Sequence, residues 1–141
     1  MKTNFWETEL RKIFQNSATL EDLRFTGRIA VGRLSETENV KLSFASTKTD
    51  NQCDGIEVAI INRKYGRIDG DTFLFEDIIG KVAQTDNGKE FTPYIWDTLS
   101  GAKWHGYQPT PADYEKILSA VDDYLEIFQE PTQSMQQSQS M

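Results

Sequence analysis

Asp69, Asp71, Glu76 and Asp77 bring four carboxylates into one short stretch of chain. Such a stretch offers hard oxygen ligands, and Asp69-Gly70-Asp71 suits Mg²⁺ or Ca²⁺. A divalent-cation-dependent enzyme built on these side chains is therefore one alternative. The twelve-residue spacing of a calcium-binding loop is absent, and Gly flanked by Asp is also what a tight turn requires. A turn is the expectation at residues 67–71.

A second acidic group implies a different chemistry. Glu115, Asp122, Asp123, Glu126 and Glu130 follow a helical pattern in residues 111–128 and just beyond. The apolar residues Tyr114, Ile117, Leu118, Val121, Tyr124, Leu125 and Phe128 fall within an arc of about 120°, a core-facing stripe. The acids are expected on the opposite side, with Lys116 as their nearby cation. Asp122–Glu126 and Glu126–Glu130 are like-charged i,i+4 pairs, each unfavourable by about 0.2–0.5 kcal/mol. Acids in the last turns also oppose the helix dipole. Such a helix gives up stability for concentrated negative charge, which a basic protein surface would recognise.

Other chemistry is poorly supplied. Zinc needs three or four Cys, His or carboxylate ligands, and the chain has one Cys and one His. Cys53 lies beside Asp54, whose charge raises a thiol pKa, so it is a poor nucleophile. His105, in Trp104-His105-Gly106-Tyr107, reads as a structural histidine among core aromatics. Neither glycine-rich phosphate-binding fingerprint is present. Gly27 and Gly32 fit close backbone packing in a strand pattern. Arg24, Arg28, Arg33 and Lys41 on the first hairpin read as a solvated strand face, diluted by Glu36 and Glu38. No catalytic residue, cofactor or metal ion is expected.

These side chains must be positioned by a short series of elements. Trp6, Leu10, Ile13 and Phe14 share one face of a helix over 4–15, capped by Thr3 or Asn4. Thr19 to Asp22 resembles a capping box, predicting a short helical turn. The centre reads as antiparallel sheet. In RFTGRIAVGRL, Phe25, Ile29 and Val31 are expected on one side and Arg28 on the other. Val40, Leu42 and Phe44 alternate with Lys41, Ser43 and Ala45. Residues 46–55 read as a loop, and Ile56, Val58 and Ile60 form the next strand face. Turns are expected at 62–66 and 67–71, then a short strand TFLF. Asn87-Gly88 suits a hairpin. EFTPYIW reads as a strand whose Pro93 marks an edge or bulge, and KWHGY as a last short strand. Thr110, Pro111 and Asp113 then start the final helix with an N-cap, a first-position proline and a capping-box acid. Pro131 ends it.

Strands without intervening helices imply antiparallel pairing. The expectation is an α+β domain over residues 1–130: a helix, a sheet of four to six strands, and a C-terminal helix packed on the sheet. Two layers with both helices on one face are favoured; the polar tail 131–141 is expected to be disordered.

The 141 residues carry a net charge of −7, unevenly spread. Residues 1–67 hold eleven basic and nine acidic side chains; residues 68–141 hold four and thirteen. An acidic half disfavours direct nucleic-acid binding, where cations supply most of the affinity. It favours solubility or a basic partner. The lone Cys53 excludes an intramolecular disulfide and fits a reducing compartment. No apolar run has the length of a membrane span or signal segment, so the expected location is the cytoplasm.

In composition the chain resembles small acidic accessory proteins of phages and mobile elements. Some of these, anti-CRISPR and other antidefence proteins among them, inhibit nucleic-acid-processing host enzymes by presenting carboxylates where phosphates bind. That resemblance implies a non-enzymatic inhibitor or accessory protein, monomer or homodimer, docking its acidic half on a basic partner. A structural or assembly subunit using an exposed sheet edge is a further alternative.

Overall fold

The computed structural model describes residues 4–83, 90–99, 101–105 and 107–128. Helix α1 spans Phe5–Phe14. Asn4 caps it, its Oδ1 accepting the Glu7 N–H at 2.7 Å, and Trp6, Leu10, Ile13 and Phe14 are buried as the spacing predicts. The helical turn expected at Thr19 to Asp22 does not form. The Thr19 hydroxyl, which would have capped it, donates instead to Asp122 at 2.6 Å, and the chain enters strand β1 (Glu21–Thr26).

The next run is a hairpin rather than one continuous strand. Gly27 adopts φ +60°, a conformation costly to residues with a Cβ. With Arg28 it turns the chain into β2 (Ile29–Arg33), so that Thr26 faces Ile29 across the pair. The turn resets the phase of the alternation. Ala30 and Leu34 are buried, whereas Val31, expected inward, is 37% exposed.

Strands β3 (Glu38–Ala45) and β5 (Gly55–Asn62) follow the predicted period of two. Val40, Leu42, Ile56, Val58 and Ile60 are fully buried. Each such side chain contributes about 1.5–3 kcal/mol relative to exposure. Between them lies a two-residue strand, β4 (Gln52–Cys53), within the stretch expected to be loop.

Strand β6 (Gly66–Leu74) overturns the turn expected at residues 67–71. Asp69, Gly70 and Asp71 pair with Ile60, Ala59 and Val58 of β5. Gly70 serves close packing here, since a Cβ at this position would sit 2.6 Å from the Val58 carbonyl oxygen and 2.3 Å from the Arg67 guanidinium. A register shift opposite Ile60/Ile61 leaves Ile68 unpaired, the geometry of a bulge.

Phe75, expected to end a strand, begins the short helix α2 (Phe75–Ile78). The EFTPYIW run is divided in two. Strand β8 (Glu90–Phe91) pairs with β7 (Val82–Ala83), and β9 (Ile95–Thr98) follows a buried Pro93. A proline has no N–H for the ladder, which accounts for the break. The Asn87-Gly88 turn lies outside the described residues. Strand β10 (Gly101–Trp104) precedes α3 (Pro111–Glu126). Thr110 and Asp113 form the reciprocal capping box, the Thr110 N–H reaching Asp113 Oδ2 at 2.9 Å and the Asp113 N–H reaching Thr110 Oγ1 at 3.2 Å.

The main antiparallel sheet has the order β1-β2-β3-β5-β6, with smaller sheets β10-β9-β4 and β7-β8. The protein is therefore α+β, with α1 and α3 packed on the face of the main sheet that carries Ala30, Leu42 and Val58. Along α3, Tyr114, Ile117, Val121 and Leu125 are buried, while Leu118, Tyr124 and Phe128 flank the stripe half-buried. Pro131 and the tail 131–141 lie outside the described residues. Among the described residues, no helix is long and apolar enough to cross a membrane.

Candidate functional site

The two acidic segments touch where α3 packs on β6. On β6, Asp69 and Asp71 face the helix layer, because their cross-strand partners Ile60 and Val58 do. Tyr124 of α3 packs on Phe73 of β6, with ring centroids 5.5 Å apart, and its hydroxyl donates to Asp69 Oδ1. Burial and then the Asp69 carboxylate push the Tyr124 phenol above its ordinary pKa, which keeps it a donor. Helix α2, with exposed Glu76 and Asp77, also packs against both β6 and α3. On α3, Glu115, Asp123 and Glu126 are exposed. Glu130 lies outside the described residues.

Asp122 departs from the expected solvent face. It is 9% exposed and accepts from Ser17 Oγ at 2.7 Å, the Ala18 N–H at 3.0 Å and Thr19 Oγ1 at 2.6 Å. It lies at the margin of the apolar stripe, where α3 turns towards the segment after α1. A carboxylate with these donors is a structural tie rather than a recognition group.

Asp69 and Asp71 also have a local role. Their Oδ1 atoms accept the N–H groups of Gly70 and Thr72, each at 2.8 Å. An added strand would need free N–H groups on this edge, and the bulge at Ile68 bends it further. Both features blunt an edge strand against pairing with another chain. Glu76 is paired with Lys48 at 3.3 Å. Among the described residues, no three Cys, His, Asp or Glu side chains come together to hold a metal ion.

The sequence did not single out Glu9. This carboxylate is 4% exposed and joins three elements. Its Oε1 accepts from Trp104 Nε1 at 2.9 Å and from the Tyr114 hydroxyl, and its Oε2 pairs with Lys12 Nζ at 3.2 Å. Gln108 Nε2 donates to the Tyr114 oxygen at 3.1 Å. The network underlies a groove of about 890 Å³ between α1 and α3, lined by Lys12, Asn16, Pro109, Tyr114, Glu115 and Leu118 among others.

Tyr114 gives this network a pH signature. Burial, and then the hydrogen bond and charge of Glu9, push its phenol pKa above the ordinary value. Below about pH 10 the phenol is protonated in folded and unfolded chains alike. Above that value the unfolded chain loses the proton while the folded chain keeps it. Stability therefore falls with rising pH, by up to about 1.4 kcal/mol per unit above about pH 10. In Tyr114→Phe this part of the slope should disappear. Urea midpoints measured from about pH 9 to about pH 11.5 check it; identical slopes in the two proteins would show that Tyr114 does not titrate differently on folding.

The remaining candidates are structural. Cys53 is buried and burial pushes its thiol pKa up, the opposite of an activated nucleophile. His105 is exposed rather than enclosed by core aromatics, stacked on Tyr94 at 4.8 Å. Of the basic hairpin residues, Arg24, Arg33 and Lys41 share the sheet face away from the helices, and Arg28 turns to Trp6 instead. Arg28 lies over the Trp6 ring at 4.3 Å and pairs with Asp97 at 3.0 Å. Arg33 pairs with Glu21 at 2.5 Å and Asp22 at 3.4 Å. Scanned against family models and compared with curated proteins and with solved structures, the chain matched none of them.

Proposed function

We propose that this chain is a non-enzymatic binding protein. It docks the acidic face formed by α3 and β6 on a basic surface of a partner protein, of the kind that binds nucleic acid, and acts there as an inhibitor or accessory factor. The observation that carries this reading is the contact of Tyr124 with Asp69 and Phe73. It joins two acidic segments distant in sequence, on which Asp69, Asp71, Asp123 and Glu126 are all exposed. Ile127, 70% exposed at the end of α3, adds apolar surface beside them. Charge complementarity steers association and fixes register, and an apolar contact beside it supplies affinity.

Asp123→Lys with Glu126→Lys tests the reading. Both side chains are exposed, and replacing an acid in the last helical turn by a cation suits the helix dipole. The double variant should melt at or slightly above the wild-type temperature and should capture at least about tenfold less of a basic, nucleic-acid-binding protein from lysate. Wild-type capture should weaken between about 0.05 and about 0.5 M salt, as exposed charges are screened. Equal capture of the same partner by both proteins, insensitive to salt, would make the acidic face a solubility device.

A further inference from the structure

The face of the main sheet away from the helices carries the opposite charge. Cross-strand partners share a face, so Arg24, Val31 and Lys41 align across β1, β2 and β3, and Arg33 aligns with Asn39 and Ile61. Arg67 stands opposite Ile61 and lies over Gly70 on this side. A pocket of about 260 Å³ opens here, lined by Asp22, Arg24, Val31, Arg33, Asn39 and Arg63, with Gly32 at its floor. Three guanidinium groups thus face a single carboxylate within the lining.

Two of the three cations are uncommitted. Arg24 and Arg63 make no ion pair among the described residues, whereas Arg33 is held by Glu21 and Asp22. Even so, the Arg33 Nε is buried without a hydrogen-bond partner. Asp22 Oδ2 attracts it from 3.4 Å without the alignment of a hydrogen bond. A buried N–H left unpaired forfeits its hydration, so the Arg33 guanidinium lacks its full set of partners. Asp22 itself adopts φ +55°, an uncommon conformation for a residue with a side chain, and such residues gather at binding sites. The pocket is also built in advance. The Arg63 N–H donates to the Thr37 carbonyl at 2.9 Å, and Asn62 Nδ2 donates to Glu38 Oε2 at 2.9 Å, so the turn carrying Arg63 is tied to the turn before β3.

We propose that this pocket binds a phosphate group of a small ligand, with Arg24, Arg33 and Arg63 as its guanidinium donors. The planar fork of arginine matches phosphate oxygens in pairs. The small volume, the flanking Glu21 and Asp22, and the net charge of −7 favour a compact anion over a nucleic-acid strand, which needs a continuous track of cations.

Inorganic pyrophosphate is the probe, titrated calorimetrically into the full chain at low salt. One-site saturable binding is expected. Arg24→Gln with Arg63→Gln should weaken it at least tenfold, with the melting temperature unchanged. Lys41→Gln with Arg67→Gln removes the same charge from the same sheet face outside the pocket, and should change affinity less than about twofold. Absence of saturable binding, or equal loss in both double variants, would overturn the proposal. So would a single-stranded oligonucleotide that binds more tightly than pyrophosphate, since that would make the face a nucleic-acid surface. The outcome is separable from that of the acidic face: Asp123→Lys with Glu126→Lys should bind pyrophosphate as the wild type does.

Discussion

Asp122→Lys should abolish or nearly abolish folding, while Asp123→Lys, one residue along the same helix, should melt within about 3 °C of wild type. The two carboxylates are adjacent in sequence and opposite in role. Asp122 receives three hydrogen bonds from Ser17, Ala18 and Thr19 and is nearly excluded from water. Lysine at this position brings a cation against donors and leaves them unpaired. Breaking a buried charged network by removing one partner costs about 3–5 kcal/mol, and hydrogen bonds to a charged acceptor are worth about 1.5–3 kcal/mol each. Total stability is commonly about 5–15 kcal/mol, so the loss takes a large share. Asp123 is exposed, and surface substitutions usually stay within about 0.5 kcal/mol. Circular dichroism and urea denaturation of the two single variants decide the matter. Similar melting of both proteins would mean that Asp122 contributes no tie between α3 and the segment after α1.

The same pair shows where sequence periodicity stops being informative. The stripe from Tyr114 to Leu125 was legible because burial of an apolar face repeats every 3.6 residues, and the Thr110–Asp113 capping box because its partners are three residues apart. Strands β3 and β5 were legible for the equivalent reason at period two. Asp122 was not, since its donors lie more than a hundred positions away, and an acid at the edge of a stripe looks the same whether solvent or a hydroxyl faces it. Asp69-Gly70-Asp71 was misread through a local preference. Asp and Gly favour turns when nothing else acts on the segment, but here eight residues pair with β5, and Gly70 answers the approach of Arg67 and the Val58 carbonyl. In the first hairpin, Gly27 carries a turn that the alternating pattern alone did not locate, and the phase of every residue from Ile29 to Arg33 depends on it.

The charge imbalance along the chain becomes, in three dimensions, a difference between two faces. The early basic residues Arg24, Arg33, Lys41, Arg63 and Arg67 gather on or beside the open sheet face. The later acids Asp69, Asp71, Asp123 and Glu126 gather on the helix side. The bulge at Ile68 resets the alternation along β6 and makes the separation sharp: Gly70 and Arg67 serve one face, and Asp69 and Asp71 the other. This arrangement lets one small sheet offer two electrostatically distinct surfaces without a second domain.

Glu9→Ala should lower stability by about 3–5 kcal/mol, a fall in melting temperature of about 10 °C or more. In sequence Glu9 reads as an ordinary acid on an amphipathic helix. In the fold it is the acceptor for the Trp104 indole N–H and the Tyr114 hydroxyl, partners 95 and 105 residues away. Alanine leaves the buried indole N–H without an acceptor and removes the contact that ties α1 to both β10 and α3. Lys12 is the comparison. Its side chain is 50% exposed and it holds neither β10 nor α3, so Lys12→Ala should cost clearly less than Glu9→Ala. Trp104→Phe removes the indole donor while keeping an aromatic ring against Phe75, whose centroid lies 5.3 Å from that of Trp104. In Trp104→Phe with Glu9→Ala, the losses should sum to less than those of the single variants, because each single variant already breaks the same hydrogen bond. A double-mutant cycle by urea denaturation measures this coupling. Strict additivity, or a Glu9→Ala protein as stable as Lys12→Ala, would show that the carboxylate holds nothing together and would leave the groove above it without a fixed floor.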